Sequence, residues 1–436
     1  MKGTITTLLF CILSICAVAQ TGNISEMVSK NAAQIEQKVI AWRQDFHQNP
    51  ELGNRETRTA GIIAKHLKAL GLDVTTQVAI TGVVGILKGD KPGPVIALRA
   101  DIDALPVEEV NSLPYASKVK AIYNGKETGV MHACGHDGHT AILMGVAEVL
   151  SKMKKELKGT IKFIFQPAEE GVPKGEEGGA ALMIKQGVLE NPKVEVIFGL
   201  HLNSLLETGK LSYKPAGTFA GVGDFKITVK GKPSHGSQPW SAVDPIVVAA
   251  QIVNSLQTIV SRNVDLTQNA AVVTVGSIHG GIRHNIIPSE VEMLGDVRSF
   301  SNEDEALIFS RIKQIVEKTA EAAGAMAVVE IPYQNHYPVT FNNIALTNQM
   351  LPSMQKSAGA ENVLLVPAIT GAEDFSFFAQ KVPGLYFRLG GMPKGKDPTT
   401  AGPHHTPSFI LEDVSLKLGV VTFCNLVFDY AEMNKK

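Results

Sequence analysis

Apolar positions along this chain follow two spacings in alternation. From Ile24 to Pro50 they recur at helical intervals, at Ile24, Met27, Ile35, Val39 and Ile40, and the run stops at the proline. The stretch "ETRTAGIIAKHLKALGL" predicts a second helix ending at Gly71. Short continuous apolar runs follow, "GVVGIL" and "PVIALRAD", with the length and β-branched content of strands covered on both faces. "TAILMGVAEVLSKMKKEL" predicts a long amphipathic helix, and "TIKFIFQPAEE" and "VEVIFGLHL" predict two more strands. Strands alternating with helices imply an α/β fold, a mostly parallel sheet with helices on both faces.

Around residue 214 the order of elements changes. "DFKITVKG" reads as a strand, "DPIVVAAQIVNSLQTIVSR" as a helix, "AVVTVGSI" and "EVEMLGDVRSF" as strands, "EDEALIFSRIKQIVEKTAEAAGA" as a helix and "AVVEIPY" as a strand. This βαββαβ order predicts a compact α+β unit inserted into the larger one. The expected division is therefore one α/β domain, residues 20–213 and 331–436, interrupted by an inserted domain at 214–330. "ENVLLVPAIT", "GLYFRLGG" and a last helix from about Leu411 resume the first style.

Residues 1–19 read as a leader for export. Lys2 supplies the positive start, "TLLFCILSICAV" the apolar stretch, and "AVAQ" small residues before a cut after Ala19. Cleavage leaves Cys134 and Cys424, too few for a disulfide framework, and the expected location is periplasmic or extracellular. With 41 basic against 42 acidic residues there is no surplus charge for phosphate or anionic lipid, so nucleic acid is not an expected partner.

In open α/β sheets ligands bind beyond the carboxyl ends of the strands. The residues just after the apolar runs are Asp101 and Asp103, Glu169 and Glu170, His201, and His404 with His405; Cys134 and His136 lie just before a helix, in "MHACGHDGHT". Singly, each has a plain structural reading: a polar residue at a strand end, a solvated pair of glutamates, or a Cys134–Cys424 disulfide. Jointly, thiol, imidazole and carboxylate groups at successive strand ends are the donor set of a catalytic divalent metal site. Neighbouring residues beyond a strand point in different directions, so one of Glu169 and Glu170 can ligate while the other faces a bound water and moves its proton. That is metal-assisted amide hydrolysis.

The motifs "RADIDALP", "GVMHACGHDGHT", "FQPAEEG", "GGIRHNIIP", "GAEDFSFF" and "HHTPSF" resemble, in order and spacing, the amidohydrolase branch of the aminoacylase/carboxypeptidase metallopeptidase family. The likeness runs from "DFHQNPELGNRET" to the last helix. It implies two divalent metal ions per chain, zinc or manganese first, with cobalt or nickel also compatible with the donors. By the same resemblance Cys134, His136, Glu170, His201 and His405 match the ligands and Glu169 the general base; His405 is preferred to His404 because "HTPSF" begins there. The inserted domain resembles the family's lid, which also forms a homodimer. His235 matches a histidine that stabilises the oxyanion in the partner's site, and Asn285 and Arg298 match substrate-binding positions. Other branches of the family begin the metal site with His-x-Asp, whereas Arg99 precedes Asp101 here. Asp101 is therefore expected to hold Arg99 or a ligand in place. His132 and His139 fall outside the ligand set and are expected to be the most replaceable histidines of their stretch. The activity implied is hydrolysis of N-acyl or N-aroyl amino acids, with a dipeptidase or carboxypeptidase acting on peptide-like substrates as the alternative, and a non-catalytic metal-binding protein as a third.

Overall fold

The computed structural model describes residues 4–334 and 336–434, with side chains from residue 24 onward; the leader expected at 1–19 lies outside the residues whose side chains are described. They form two compact units. One comprises the chain up to Pro215, Asn342–Val366 and the chain from Lys381 on; the other comprises Ala216–Phe341 and Pro367–Gln380.

The first unit is built on an eight-stranded sheet in the order Asp73–Val78, Gly82–Lys88, Lys158–Gln166, Lys91–Asp101, Val196–Glu207, Gly384–Met392, Leu211–Tyr213, Val363–Leu365. The central four run parallel, because helical crossovers connect them. Gly82–Lys88 is antiparallel to both of its neighbours, and Leu211–Tyr213 is antiparallel to Gly384–Met392. Val363–Leu365 pairs parallel with Leu211–Tyr213 at that edge, and the middle strands, buried on both faces, read as continuous apolar runs.

Helices Thr4–Gln48, His136–Lys152 and Leu416–Met433 pack on one another in this unit. Gly145 is what lets them meet: a Cβ there would lie 2.8 Å from Val39 Cγ2 and 3.1 Å from Val420 Cγ2. His136–Lys152 was expected to be amphipathic, yet residues 136–150 are all buried. With the sheet on one side and two helices on the other, no face of it meets water, and its polar residues must find internal partners.

Asp137 does so. Its carboxylate lies 2.9 Å from Arg43 Nε and 2.8 Å from His47 Nδ1. Arg43 also donates to Asp413 Oδ1 at 3.1 Å and to the Tyr115 hydroxyl at 2.9 Å, and His47 Nε2 lies 3.3 Å from Glu109 Oε1. Burial alone would raise the Asp137 pKa, but Arg43 and His47 hold it far below the usual carboxylate range.

The second unit holds a five-stranded antiparallel sheet, Ala271–Gly280, Glu290–Ser299, Gly221–Lys230 and Met326–Glu330 in order, with His336–Tyr337 added beside Gly221–Lys230. Helices Pro245–Leu256 and Asn302–Ala322, capped by Asp244 and Ser301, share a core with one face, centred on Phe225, Ile227, Ile252, Met293, Ile308 and Ile312. Val272, Leu294, Met326 and Val328 are exposed. Residues 331–341 and 367–380, expected in the first domain, pack with this unit instead. His336–Tyr337 extends its sheet, Tyr337 meets Phe377 edge-on at 5.9 Å, and Thr340 Oγ1 donates to the Glu373 carbonyl at 3.0 Å.

Replacing Arg43 with Met is expected to cost about 3–5 kcal/mol, because it leaves Asp137 charged and buried with one partner fewer. The folded Asp137 pKa is depressed, so its stabilisation is present above its unfolded pKa of about 4 and is lost on acidification below it. Denaturant midpoints measured from pH 7 to pH 3 should therefore fall more for the wild type than for Arg43→Met.

Candidate metal centre

Because the central strands are parallel and adjacent, their carboxyl ends share one rim. Asp101 ends Lys91–Asp101, with Asp103 two residues on; Glu169 and Glu170 follow Lys158–Gln166; His201 sits within Val196–Glu207, opposite Arg388; His404 and His405 lie in the loop after Gly384–Met392. Cys134 and His136 join this rim from the start of His136–Lys152. Gly135 between them has φ +97°, a left-handed turn that aims both side chains at the rim.

The structure brings Cys134, His136, Glu169, Glu170, His201 and His405 together. Cys134 Sγ lies 3.4 Å from His201 Nε2 and 3.3 Å from His405 Nε2. Glu170 Oε1 lies 3.1 Å from His405 Nε2 and 3.8 Å from His136 Nε2, and Glu169 Oε2 lies 3.9 Å from His136 Nε2. Ligand atoms fall within 4.8 Å of one another in three overlapping groups: Cys134, His136 and His201; Cys134, Glu170 and His405; His136, Glu169 and Glu170.

Partners on the far side of each ring leave a lone pair facing inward. His136 Nδ1 lies 3.0 Å from both the carbonyl and Oδ1 of Asp103, which places the proton there, and buried Nε2 has no hydrogen-bond partner. His201 Nδ1 donates to the Leu202 carbonyl at 2.6 Å, turning Nε2 toward Cys134. Burial, followed by the nearby Glu170 and Glu169, pushes the Cys134 thiol well above its ordinary pKa. Burial opposes charge on His136, but Asp101, Asp103 and Glu170 outweigh it and raise its pKa to about 10. Acidic groups packed this closely require positive charge, and where no cation is bound they hold protons. The donor set and the orphaned His136 Nε2 therefore fit a divalent ion.

The two candidate histidines of the last loop differ in their surroundings. His405 is half-exposed, with Nε2 on Glu170 and Cys134. His404 is half-buried; desolvation, with His405 and His139 nearby, lowers its pKa to about 3, its Nε2 accepts from Ser204 N at 3.3 Å and its Nδ1 lies 3.7 Å from Cys134 Sγ. With the proton on Nδ1, it donates toward the sulfur.

His139 is not the replaceable residue that its sequence position suggests. It is buried, with Nδ1 2.5 Å from Asp101 Oδ1 and Nε2 accepting from Leu202 N at 2.8 Å, so it ties one strand end to the next. Asp101 accepts from Arg99 Nη1 at 2.8 Å as well, a holding role. His132 is buried with neither ring nitrogen bonded, and burial lowers its pKa to about 4. Cys134 and Cys424 are both free thiols, which excludes a disulfide between them.

Sequence reasoning missed Glu56. Its carboxylate is buried, accepts from Ala168 N at 2.9 Å and from Thr81 Oγ1 at 2.5 Å, and is raised to about pKa 7 by burial and by Asp103. Ala168 has φ +52°, unusual for a residue with a side chain, and it sets the direction of Glu169. Asp103 Oδ2 fixes the next step by accepting from Glu170 N at 2.9 Å. No local pattern marks Glu56, because its partner is 112 residues away.

His235, Asn285 and Arg298 lie in the second unit. His235 is exposed on the ribbon Ser234–His235, which pairs with Ile286–Ile287, so Asn285 is its near neighbour. Its Nδ1 bonds the Ser237 hydroxyl at 2.7 Å. Arg298 donates to Asp296 at 2.7 Å and to the Thr370 carbonyl at 3.4 Å.

The family model for peptidase family M20/M25/M40 matches residues 97–428. The chain is 37% identical to thermostable carboxypeptidase 2 of Saccharolobus solfataricus, over 94% of this chain and 99% of that protein. It is 36% identical to N-acetyl-L-cysteine deacetylase of Bacillus subtilis, over 88% and 86% respectively. A Bacillus subtilis structure described as a dinuclear metal-binding peptidase of the M20 family superposes with a TM-score of 0.75 at 33% identity, covering 92% of this chain and 99% of that one.

Metal affinity is expected to fall with pH, since Cys134 and His136 both hold raised pKa values and must lose protons to ligate. Calorimetry in buffers of different ionisation enthalpy should detect proton release on zinc binding at pH 7, and weaker binding at pH 6 than at pH 8. His139→Ala should weaken zinc binding on the order of 10- to 100-fold in a competitive chelator titration, because it loosens Asp101 and the backbone beside His201.

Proposed function

Since the chain belongs to peptidase family M20/M25/M40 and is a metal-dependent amide hydrolase of that family, we propose that it cleaves the amide bond of N-acyl or N-aroyl amino acids, releasing a carboxylic acid and an amino acid. The observation that carries this reading is the division of labour between Glu169 and Glu170. Both carboxylates approach His136 Nε2, at 3.8 Å and 3.9 Å, but only Glu170 also reaches Cys134 and His405.

Cys134, His136, Glu170, His201 and His405 would hold two divalent ions, zinc or manganese, with cobalt or nickel also matched to these donors. Such ions, when bound, acidify water and polarise the carbonyl oxygen. Glu169 takes the water proton on its carboxylate and returns it to the leaving nitrogen. Asp103, His139 and Glu56 fix the orientation of the groups around it. In this reading His235 donates to the carbonyl oxygen in a partner subunit's site as charge develops there, and Asn285 and Arg298 hold the carboxylate of the amino-acid half. The homodimer forms through the second unit; the exposed Val272, Leu294, Met326 and Val328 support this assignment. Export through the leader completes the proposal.

A second reading, a carboxypeptidase or dipeptidase with the same site, is supported by the Saccharolobus solfataricus relative. Kinetics on N-acetyl and N-benzoyl amino acids beside dipeptides separates the two, and higher kcat/KM on dipeptides would sink the first. Glu169→Gln is expected to lower kcat on the order of 10²- to 10⁴-fold while elemental analysis still finds two metal ions per chain. Full activity in that variant would remove Glu169 from the mechanism.

A further inference from the structure

Glu169 and Glu170 stand on a stretch of chain without regular structure. Residues 167–178, between strand Lys158–Gln166 and helix Gly179–Lys185, join neither ladder nor helix, and Gly171 and Gly175 have φ of +114° and +85°. Such a glycine-bearing stretch has no fixed course of its own. The placing of both carboxylates therefore depends on what holds the stretch from outside.

The turn between the first two helices holds it at both ends, and every residue involved belongs to the first unit. Arg55 N donates to the Leu52 carbonyl at 2.9 Å and closes the turn, in which Asn54 takes φ +61°, a left-handed backbone that asparagine tolerates. Gly53 lies against the middle of the stretch. A Cβ there would come within 2.7 Å of the Gly171 carbonyl oxygen and 3.2 Å of Ala168 Cα, on either side of the two glutamates. Asn54 Nδ2 holds the far end, donating to Glu176 Oε2 at 3.0 Å and to the Glu177 carbonyl at 3.1 Å, and Arg55 reaches both Glu176 oxygens at 2.5 Å and 3.0 Å. Glu56 holds the near end through Ala168 N, with its other oxygen fixed by Thr81.

The turn is itself anchored beside the cluster. Leu52 bridges Ala104, and Ala104 N donates to the Glu51 carbonyl at 2.8 Å, next to the Asp103 that accepts from Glu170 N. The Arg55–Glu176 pair is exposed and adds little stability. Gly53, Asn54, Glu56 and Ala168 are buried, so the firm contacts are the ones nearest the glutamates.

We infer that Gly53–Glu56 is a clamp that sets Glu169 for proton transfer and Glu170 for ligation, with Gly53 and Glu56 as its positioning residues. This rests on the amide-hydrolase reading. A base displaced by about 1 Å loses on the order of 10²-fold in rate, while the groups that bind substrate stay where they are. The loss should therefore fall on kcat and not on KM.

The test is kcat and KM at saturating zinc, on the best-cleaved N-acyl amino acid, for wild type, Gly53→Ala, Glu56→Met and Glu56→Gln, alone and combined with Glu169→Gln. Zinc affinity is measured on the same proteins by chelator competition, and circular dichroism and metal content check folding and loading. Glu56→Met removes the acceptor for Ala168 N at similar volume; Glu56→Gln restores one and offers its amide to the Thr81 hydroxyl. If Glu56→Met does not fold, Gly53→Ala carries the test, since it removes no hydrogen-bonding group. In Gly53→Ala and Glu56→Met, kcat is expected to fall at least about 10-fold with KM within about 3-fold, and zinc affinity to fall about 10-fold. Glu56→Gln should recover most of both losses. In the Glu169→Gln background neither variant should lower kcat more than about 2-fold further, because the residue acted upon is already gone. Unchanged kcat per loaded site, unchanged zinc affinity, equal kcat losses in the Glu169→Gln background, or no recovery in Glu56→Gln overturns the proposal. If the wild type cleaves no amide, or Glu169→Gln keeps full activity, the amide-hydrolase reading fails by itself, and zinc affinity decides the clamp: weaker binding in Gly53→Ala and Glu56→Met with recovery in Glu56→Gln upholds it, and equal binding overturns it.

Discussion

Acidic groups held out of water set the central constraint on this protein. The rim of the first sheet buries a thiol, Asp101, Asp103 and Glu169 almost completely, with Glu170 close by. Water is not there to stabilise their charges, so protons or a cation must. The raised thiol and imidazole values are one expression of that need, and the unpartnered His136 Nε2 is another. Cys134, His136, Glu170, His201 and His405 would give up those protons to hold divalent ions, which would supply Lewis-acid chemistry there.

Keeping like charges together in one geometry requires a second layer around them, and here that layer is continuous with the core. Asp103 orients His136 through its side chain and fixes the Glu170 backbone through its other oxygen. Asp101 joins Arg99 to His139, and His139 joins Asp101 to the strand carrying His201. One residue beyond His136, Asp137 passes into a separate ionic network with Arg43 and His47 from the first helix, and Arg43 reaches on to Asp413 near the last. The packing of helices from both ends of the chain and the position of a candidate ligand are thus set by neighbouring residues of a single turn.

Chemistry is distributed unevenly between the units. Soft and acidic donors are concentrated in the first, while His235, Asn285 and Arg298 stand on an antiparallel unit with its own core.

By itself the sequence determined the local choices. Continuous apolar runs marked the central strands, because a strand covered on both faces has no polar side to show. Reactive residues just after those runs marked the rim, because parallel strands deliver their ends to one place. The βαββαβ order of the second unit was equally local. Whatever depends on distant partners was not legible there. The sheet is parallel through its middle but mixes directions toward its edges, since each edge pairing was decided by which strand lay alongside. Segments 331–341 and 367–380 joined the second unit through one added strand, a ring contact and a hydrogen bond. His139 and Glu56 owe their roles to single buried contacts with Asp101 and Ala168. Periodicity records how a residue faces its own element, and only the tertiary structure brings together the atoms, tens to hundreds of residues apart, that settle what a buried polar group must do.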